Sequence, residues 1–111
     1  MTPGRRGKAR AIVWTARAVR DLEDIRTYIE QDDPAAADRW IARLVERVER
    51  AAPFPFAGRA VPEVHREEVR EVLERSYRIV YLVRERTIDV LTVFEGHRLF
   101  PHGTVPTDDP P

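Results

Sequence analysis

Tyr77-Arg78-Ile79-Val80-Tyr81-Leu82-Val83 and, beyond Arg84-Glu85-Arg86-Thr87, Ile88-Asp89-Val90-Leu91-Thr92-Val93-Phe94 are two largely apolar runs separated by a short charged link. Both runs are rich in β-branched and aromatic residues and are bounded by charged or small ones, the pattern of strands. In the first run Val80 and Leu82 are apolar as well as Ile79, Tyr81 and Val83. A strand apolar on both sides is at least partly covered on both faces, which puts this pair at a sheet centre. The second run ends abruptly in Glu95-Gly96-His97-Arg98: an acid, a flexible joint, an imidazole and a guanidinium. Such a cluster is either a solvated strand end or a working edge.

Working outward, residues 69–74 read as a further strand and Glu74-Arg75-Ser76 as a turn, so the chain closes in a three-strand meander. Residues 61–68 are polar and irregular, and Pro53-Phe54-Pro55-Phe56-Ala57-Gly58 reads as a loop pinned by two aromatics. Upstream, Ala11-Ile12-Val13-Trp14 suits a short strand, after which Thr15 can cap a helix. Val19, Leu22, Ile25, Tyr28 and Ile29 then share one side at helical spacing, which predicts a helix over 16–31. Asp33-Pro34 restarts a helix, because the carboxylate accepts free amides and a proline at the first helical position loses no internal bond. Ala37, Trp40, Ile41, Leu44 and Val48 form the buried stripe of this second helix, which Pro53 stops. The tight link between the helices makes them an antiparallel hairpin.

The order β-α-α-β-β-β predicts an α+β fold. An N-terminal strand and an antiparallel helical hairpin pack on one face of a small, largely antiparallel sheet, whose other face is only partly covered. The domain spans 11–100, between a disordered basic leader over 1–10 and a disordered tail over 101–111.

At 111 residues the chain is long enough for one core and too short for two. With no cysteine, disulfides and thiolate metal sites are excluded. No apolar run is long enough to cross a bilayer and the first ten residues lack a signal-peptide core, so the expectation is a soluble, cytoplasmic protein with no membrane association. Formal net charge is zero, which argues against life on nucleic acid by counterion release. Charge is unevenly spread, with Arg5, Arg6, Lys8 and Arg10 making the leader basic and Asp108 and Asp109 making the tail acidic. Metal-ligating, phosphate-loop and serine-nucleophile motifs are missing, and His65, His97 and His102 are too scattered to suggest zinc. No metal or cofactor is expected, and an ordinary metabolic enzyme is disfavoured.

The element order together with short motifs resembles the RelE/ParE superfamily of toxins from type II toxin-antitoxin pairs. The residues that carry the likeness begin with Ala18, Asp21-Leu22, Ile25 and Tyr28-Ile29, then Pro34, Ala36-Ala37 and Ile41. They continue with Gly58-Arg59, Pro62-Glu63, Arg70-Glu71-Val72, Tyr77-Arg78-Ile79-Val80-Tyr81, and Gly96 with Arg98. The resemblance runs from Ile12 to about Leu99 and implies a toxin neutralised by a cognate antitoxin, in a hetero-oligomer that reaches promoter DNA only through the antitoxin. ParE-like members inhibit DNA gyrase by protein contact, and RelE-like members cut messenger RNA on the ribosome. The long helical hairpin and balanced charge look more ParE-like. A third reading is a degenerate toxin that only binds its antitoxin and co-represses their promoter.

Metal-free RNA cleavage needs a base for the 2′-hydroxyl, a cation for the phosphate and an acid for the leaving oxygen. Glu63, Arg70 and His97 offer those roles, at positions comparable to those of YoeB-type members of the superfamily. Each also has a plain reading: a surface loop acid, a strand ion-pair partner and an exposed strand end. Arg39, Arg43, Arg47 and Arg50 form a helical ridge, where like charges repel by about 0.2–0.5 kcal/mol a pair unless compensated. Glu46 and Glu49 lie beside it, so the ridge is either a solvated face or a docking surface for an acidic partner. Arg39, Arg43 and Arg47, with Arg78, Arg84 and Arg98 from the sheet, are the candidate partner-binding residues.

Overall fold

The computed structural model describes residues 10–107. Its elements are β1 (Ala11–Trp14), α1 (Ala16–Glu30), α2 (Pro34–Ala51), β2 (Arg59–Ala60), β3 (Val69–Glu74), β4 (Tyr77–Val83) and β5 (Thr87–Glu95). The strands make one five-stranded sheet in the order β1-β5-β4-β3-β2. β1 runs parallel to β5, and the other pairings are antiparallel. The two helices lie on one face of the sheet, as the sequence predicts.

Capping explains where the helices start. Thr15 accepts the Ala18 amide at 3.2 Å and gives its own proton to the Val90 carbonyl at 2.7 Å, so one hydroxyl starts α1 and ties it to β5. Asp33 accepts the amides of Ala35 and Ala36 at 3.1 and 3.2 Å, with Pro34 in the first turn of α2. The pairing of β1 covers β5 only as far as Val90. Beyond it the carboxylate of Asp21 reaches from α1, accepting the Thr92 hydroxyl at 2.6 Å and the Val93 amide at 3.0 Å. A helical acid thus satisfies an edge that would otherwise present an unpaired donor.

The helix-side core gathers Ala18, Leu44, Val48, Val72, Ile79, Tyr81, Ile88, Val90 and Val93, with Ile12, Trp14, Leu22, Ile25, Ile41 and Tyr77 at its margin. Tyr77 and Tyr81 both pack here, on the shared face that their period-two spacing predicts. The register of β4 against β5 shifts between Val80 and Tyr81, opposite Thr92 and Val90, leaving Leu91 as the extra residue. Gly58 lies where the loop after α2 crosses β4: a Cβ there would overlap the Tyr81 hydroxyl and come within 2.9 Å of the Glu71 carbonyl. That close approach is open only to glycine.

The other sheet face is more fully covered than expected. Val69, Val80, Leu82, Leu91 and Phe94 are buried beneath Val61 and Phe100, with Val64 and Val105 packed against them. The cover comes from the segment before β3 and from the segment after β5. Residues 101–107 accordingly depart from the expected disordered tail: His102–Thr104 form a 3-10 turn, and Arg66 donates to the Pro106 carbonyl at 2.5 Å. The reason is burial, since Phe100 and Val105 find an apolar surface that the first core leaves open. The leader residues 1–9 and the last residues 108–111 lie outside the described residues.

Candidate functional site

The most charged part of the interior is built around Arg78 in the middle of the sheet's second face. Its Nε donates to Glu71 Oε1 at 2.7 Å, while Nη1 and Nη2 donate to the two Glu63 oxygens at 3.0 and 2.7 Å. Arg59 donates to the other Glu71 oxygen at 2.5 Å. The guanidinium lies 5.0 Å from the Phe94 ring centre and 5.5 Å from that of Phe100. Two cations and two carboxylates therefore neutralise one another, and every proton of the buried fork that is used is spent inside the protein. Glu71 itself is fully buried, a carboxylate tolerated only because two guanidinium groups hold it.

The arrangement fixes protonation states. The hydrogen bonds from Arg78 hold the Glu63 carboxyl down to about 2, against its ordinary value of 4.5, with a smaller contribution from the charge of His102. The same contacts raise the Arg78 guanidinium further above its usual range. Glu63 is thus a carboxylate that resists taking a proton, the opposite of what a general base near neutrality needs.

Glu63, Arg70 and His97 are not gathered. Arg70 pairs across the sheet with Tyr81 and shares the helix-side face, opposite Arg78 and its carboxylates. Its guanidinium donates to the carbonyls of Glu67 at 2.9 Å and Gly58 at 3.1 Å and lies 5.1 Å from the Phe56 ring centre. His97 is 88% exposed at the end of β5, where its Nδ1 contacts Glu95 at 2.7 Å. That contact lowers the Glu95 carboxyl below its usual range. The imidazole beside Glu63 is His102, stacked on Phe100 at 4.9 Å. Among the described residues no group of His and acids could hold a metal ion.

This architecture has close relatives. Residues 12–100 match the family model for the ParE toxin of the type II toxin-antitoxin system parDE. The chain belongs to the ParE toxin family. It is 38% identical over 90 residues to the putative toxin Y4kP of Sinorhizobium fredii, covering 81% of this chain and 92% of that protein. It is 35% identical over 88 residues to toxin RelE2 of Caulobacter vibrioides, covering 79% and 97%. A solved chain of the chromosomal ParDE system from P. aeruginosa shares the fold, with a TM-score of 0.66 at 24% identity over 78% of this chain and 96% of that one.

In this ParE-family toxin the six candidate partner-binding arginines fall into two groups. Arg78 is buried and fully engaged, so it is not a surface contact, a correction that follows from Glu63 and Glu71 lying opposite it. Arg47 donates to the Leu73 carbonyl at 3.3 Å, bracing α2 on the sheet. Arg84 is exposed but paired with Asp89 at 2.6 Å. Arg39 and Arg43 are exposed on α2, and Arg98 lines a groove of about 420 Å³ with Tyr28, Tyr77, Leu99 and Pro101. Leu99 at 93% exposure and Tyr28 at 71% place exposed apolar surface beside this groove.

Sequence reasoning missed Glu71, Arg59 and His102 as members of the charged cluster. Glu71 carried a signal: it alternates with Val69 and Leu73 on a strand, on the side that must be covered if Val80 and Leu82 are. His102 carried none, because the segment that holds it reads as a tail.

Proposed function

We propose that this toxin inhibits DNA gyrase by protein contact and is silenced by a cognate antitoxin, the two forming a hetero-oligomer. The observation that supports this reading is the bidentate clamp of Arg78 on Glu63, which engages the acid read as the base of metal-free RNA cleavage in an internal ion pair. Placement supports it further, since Arg70 lies on the other sheet face and His97 projects into solvent. The surface instead offers contacts suited to a protein: Tyr28 and Leu99 in the groove between α1 and β5, edged by Arg98. An apolar patch rimmed by charge is the ordinary make-up of a protein interface.

The test is made in cells. On induction of the chain, plasmid DNA should lose negative supercoils while messages mapped by primer extension stay intact. Messages cut within codons, with plasmid topology unchanged, would overturn the reading in favour of a ribosome-dependent nuclease. Co-expression with the antitoxin should restore growth and yield a co-purifying complex.

A further inference from the structure

The Trp40 side of α2 carries a second surface, distinct from the groove and from the Arg78 cluster. Trp40 packs edge-on against Tyr77 with ring centres 5.7 Å apart. Two guanidinium groups approach the indole, Arg43 from the same helix at 5.3 Å and Arg75 from the β3–β4 turn at 6.0 Å. Arg39 is exposed one turn before Arg43 on the same ridge. Among the described residues, no ion pair involves Arg39, Arg43 or Arg75. Their neighbours in the chain, Asp38 and Glu74, contact other arginines, Asp38 on Arg26 and Glu74 near Arg50.

Arg75 is the second observation. Its φ of 56° makes it the one left-handed residue other than glycine among those described. It fills the first position of the two-residue turn between β3 and β4, a place that glycine takes without steric cost. An arginine in this strained position, with its guanidinium turned to the indole beside a like charge, points to a use for the side chain rather than for the backbone.

We infer that Arg39, Arg43 and Arg75 around Trp40 form a docking site for an acidic peptide segment of a protein partner. Arg43 and Arg75 lie against the indole and Arg39 stands one turn away, with none of the three in an ion pair among the described residues, which suits bidentate contact with discrete carboxylates. An apolar residue between those carboxylates would cover the exposed part of Trp40. A nucleic-acid backbone fits less well: running along the ridge, its continuous negative charge would meet Glu46 and Glu49. The inference rests on the proposed function only for the partner's identity, antitoxin or target, and its test needs neither.

The probe is a short fluorescein-labelled peptide of Asp and Glu with interspersed Leu, titrated with the full-length chain and followed by anisotropy. An Asn/Gln version of the peptide and a labelled single-stranded oligonucleotide serve as comparisons. The acidic peptide should bind while the neutral one does not. Arg43→Ala and Arg75→Gly should each weaken it about tenfold, and Arg50→Ala should leave it within about twofold. Arg75→Gly relieves the left-handed strain, so its thermal midpoint should not fall, which separates lost binding from lost folding. No binding of the acidic peptide, binding indifferent to Arg43→Ala and Arg75→Gly, or tighter Arg75-dependent binding of the oligonucleotide would each overturn the inference.

Discussion

Glu63 and Arg78 form the ion pair on which the second sheet face is built. A carboxylate held to about 2 by a guanidinium has a folded pKa below its unfolded one of 4.5. The pair therefore stabilises the fold above pH 4.5, and that contribution is lost as pH falls from 4.5 toward about 2. Urea midpoints measured across this window should drop with acidification in the parent chain and drop less in Glu63→Gln. At neutral pH Glu63→Gln should cost about 1–2 kcal/mol, because Arg78 keeps Glu71 while its remaining donors lose a charged acceptor. A neutral-pH stability equal to that of the parent would mean that the clamp contributes nothing. Gly58 makes a different demand, steric rather than electrostatic. Gly58→Ala forces the loop away from Tyr81, whose hydroxyl donates to the Pro55 carbonyl at 2.6 Å, and should destabilise by about 1–3 kcal/mol. An unchanged denaturation midpoint would show that the loop yields freely.

Among the elements, the segment after β5 changes the picture most. Phe100 is buried at 8% exposure and packs edge-on against Phe94 with ring centres 5.7 Å apart, so it fastens the segment to the second face. Phe100→Ala should cost about 3 kcal/mol. It should also raise amide exchange selectively at Thr104 and Val105, whose N–H groups otherwise bond to Pro101 and His102. Uniform exchange, with no excess in this segment, would contradict its role as a fastened cover. The sequence foretold the elements that depend on local signals. Asp33-Pro34 marked the start of α2, and α1 ends at Glu30, one residue before the predicted Gln31. β3 has the predicted bounds because a charged turn follows it. It did not foretell β2, an exposed arginine and alanine that are a strand only because β3 lies beside them. The bulge at Leu91 was equally hidden, since no Gly or Pro marks it.

For the whole molecule, the sheet separates what chain order places close together. Glu63, Arg70 and His97 look like one constellation in sequence because each sits at a motif position. Strand alternation turns Arg70 to the helix side and Glu71 to the other, and the second core draws Glu63 onto Arg78. That outcome needed the pairing of β3 with β4, a tertiary fact. The surface arginines were legible as a set but not in their division, because burial of Arg78 follows from two facing acids that lie 7 and 15 residues away in the chain. The resulting protein buries the Arg78–Glu71 pair inside and carries on its surface a groove of mixed polarity and a basic aromatic patch. The most direct measurement is a supercoiling reaction with purified gyrase, titrated with the chain and with its His97→Ala variant. Inhibition by contact predicts that both block supercoiling at the same concentrations. Supercoiling that runs to completion in the presence of either, while the parent chain but not His97→Ala cuts messages on translating ribosomes, would contradict it.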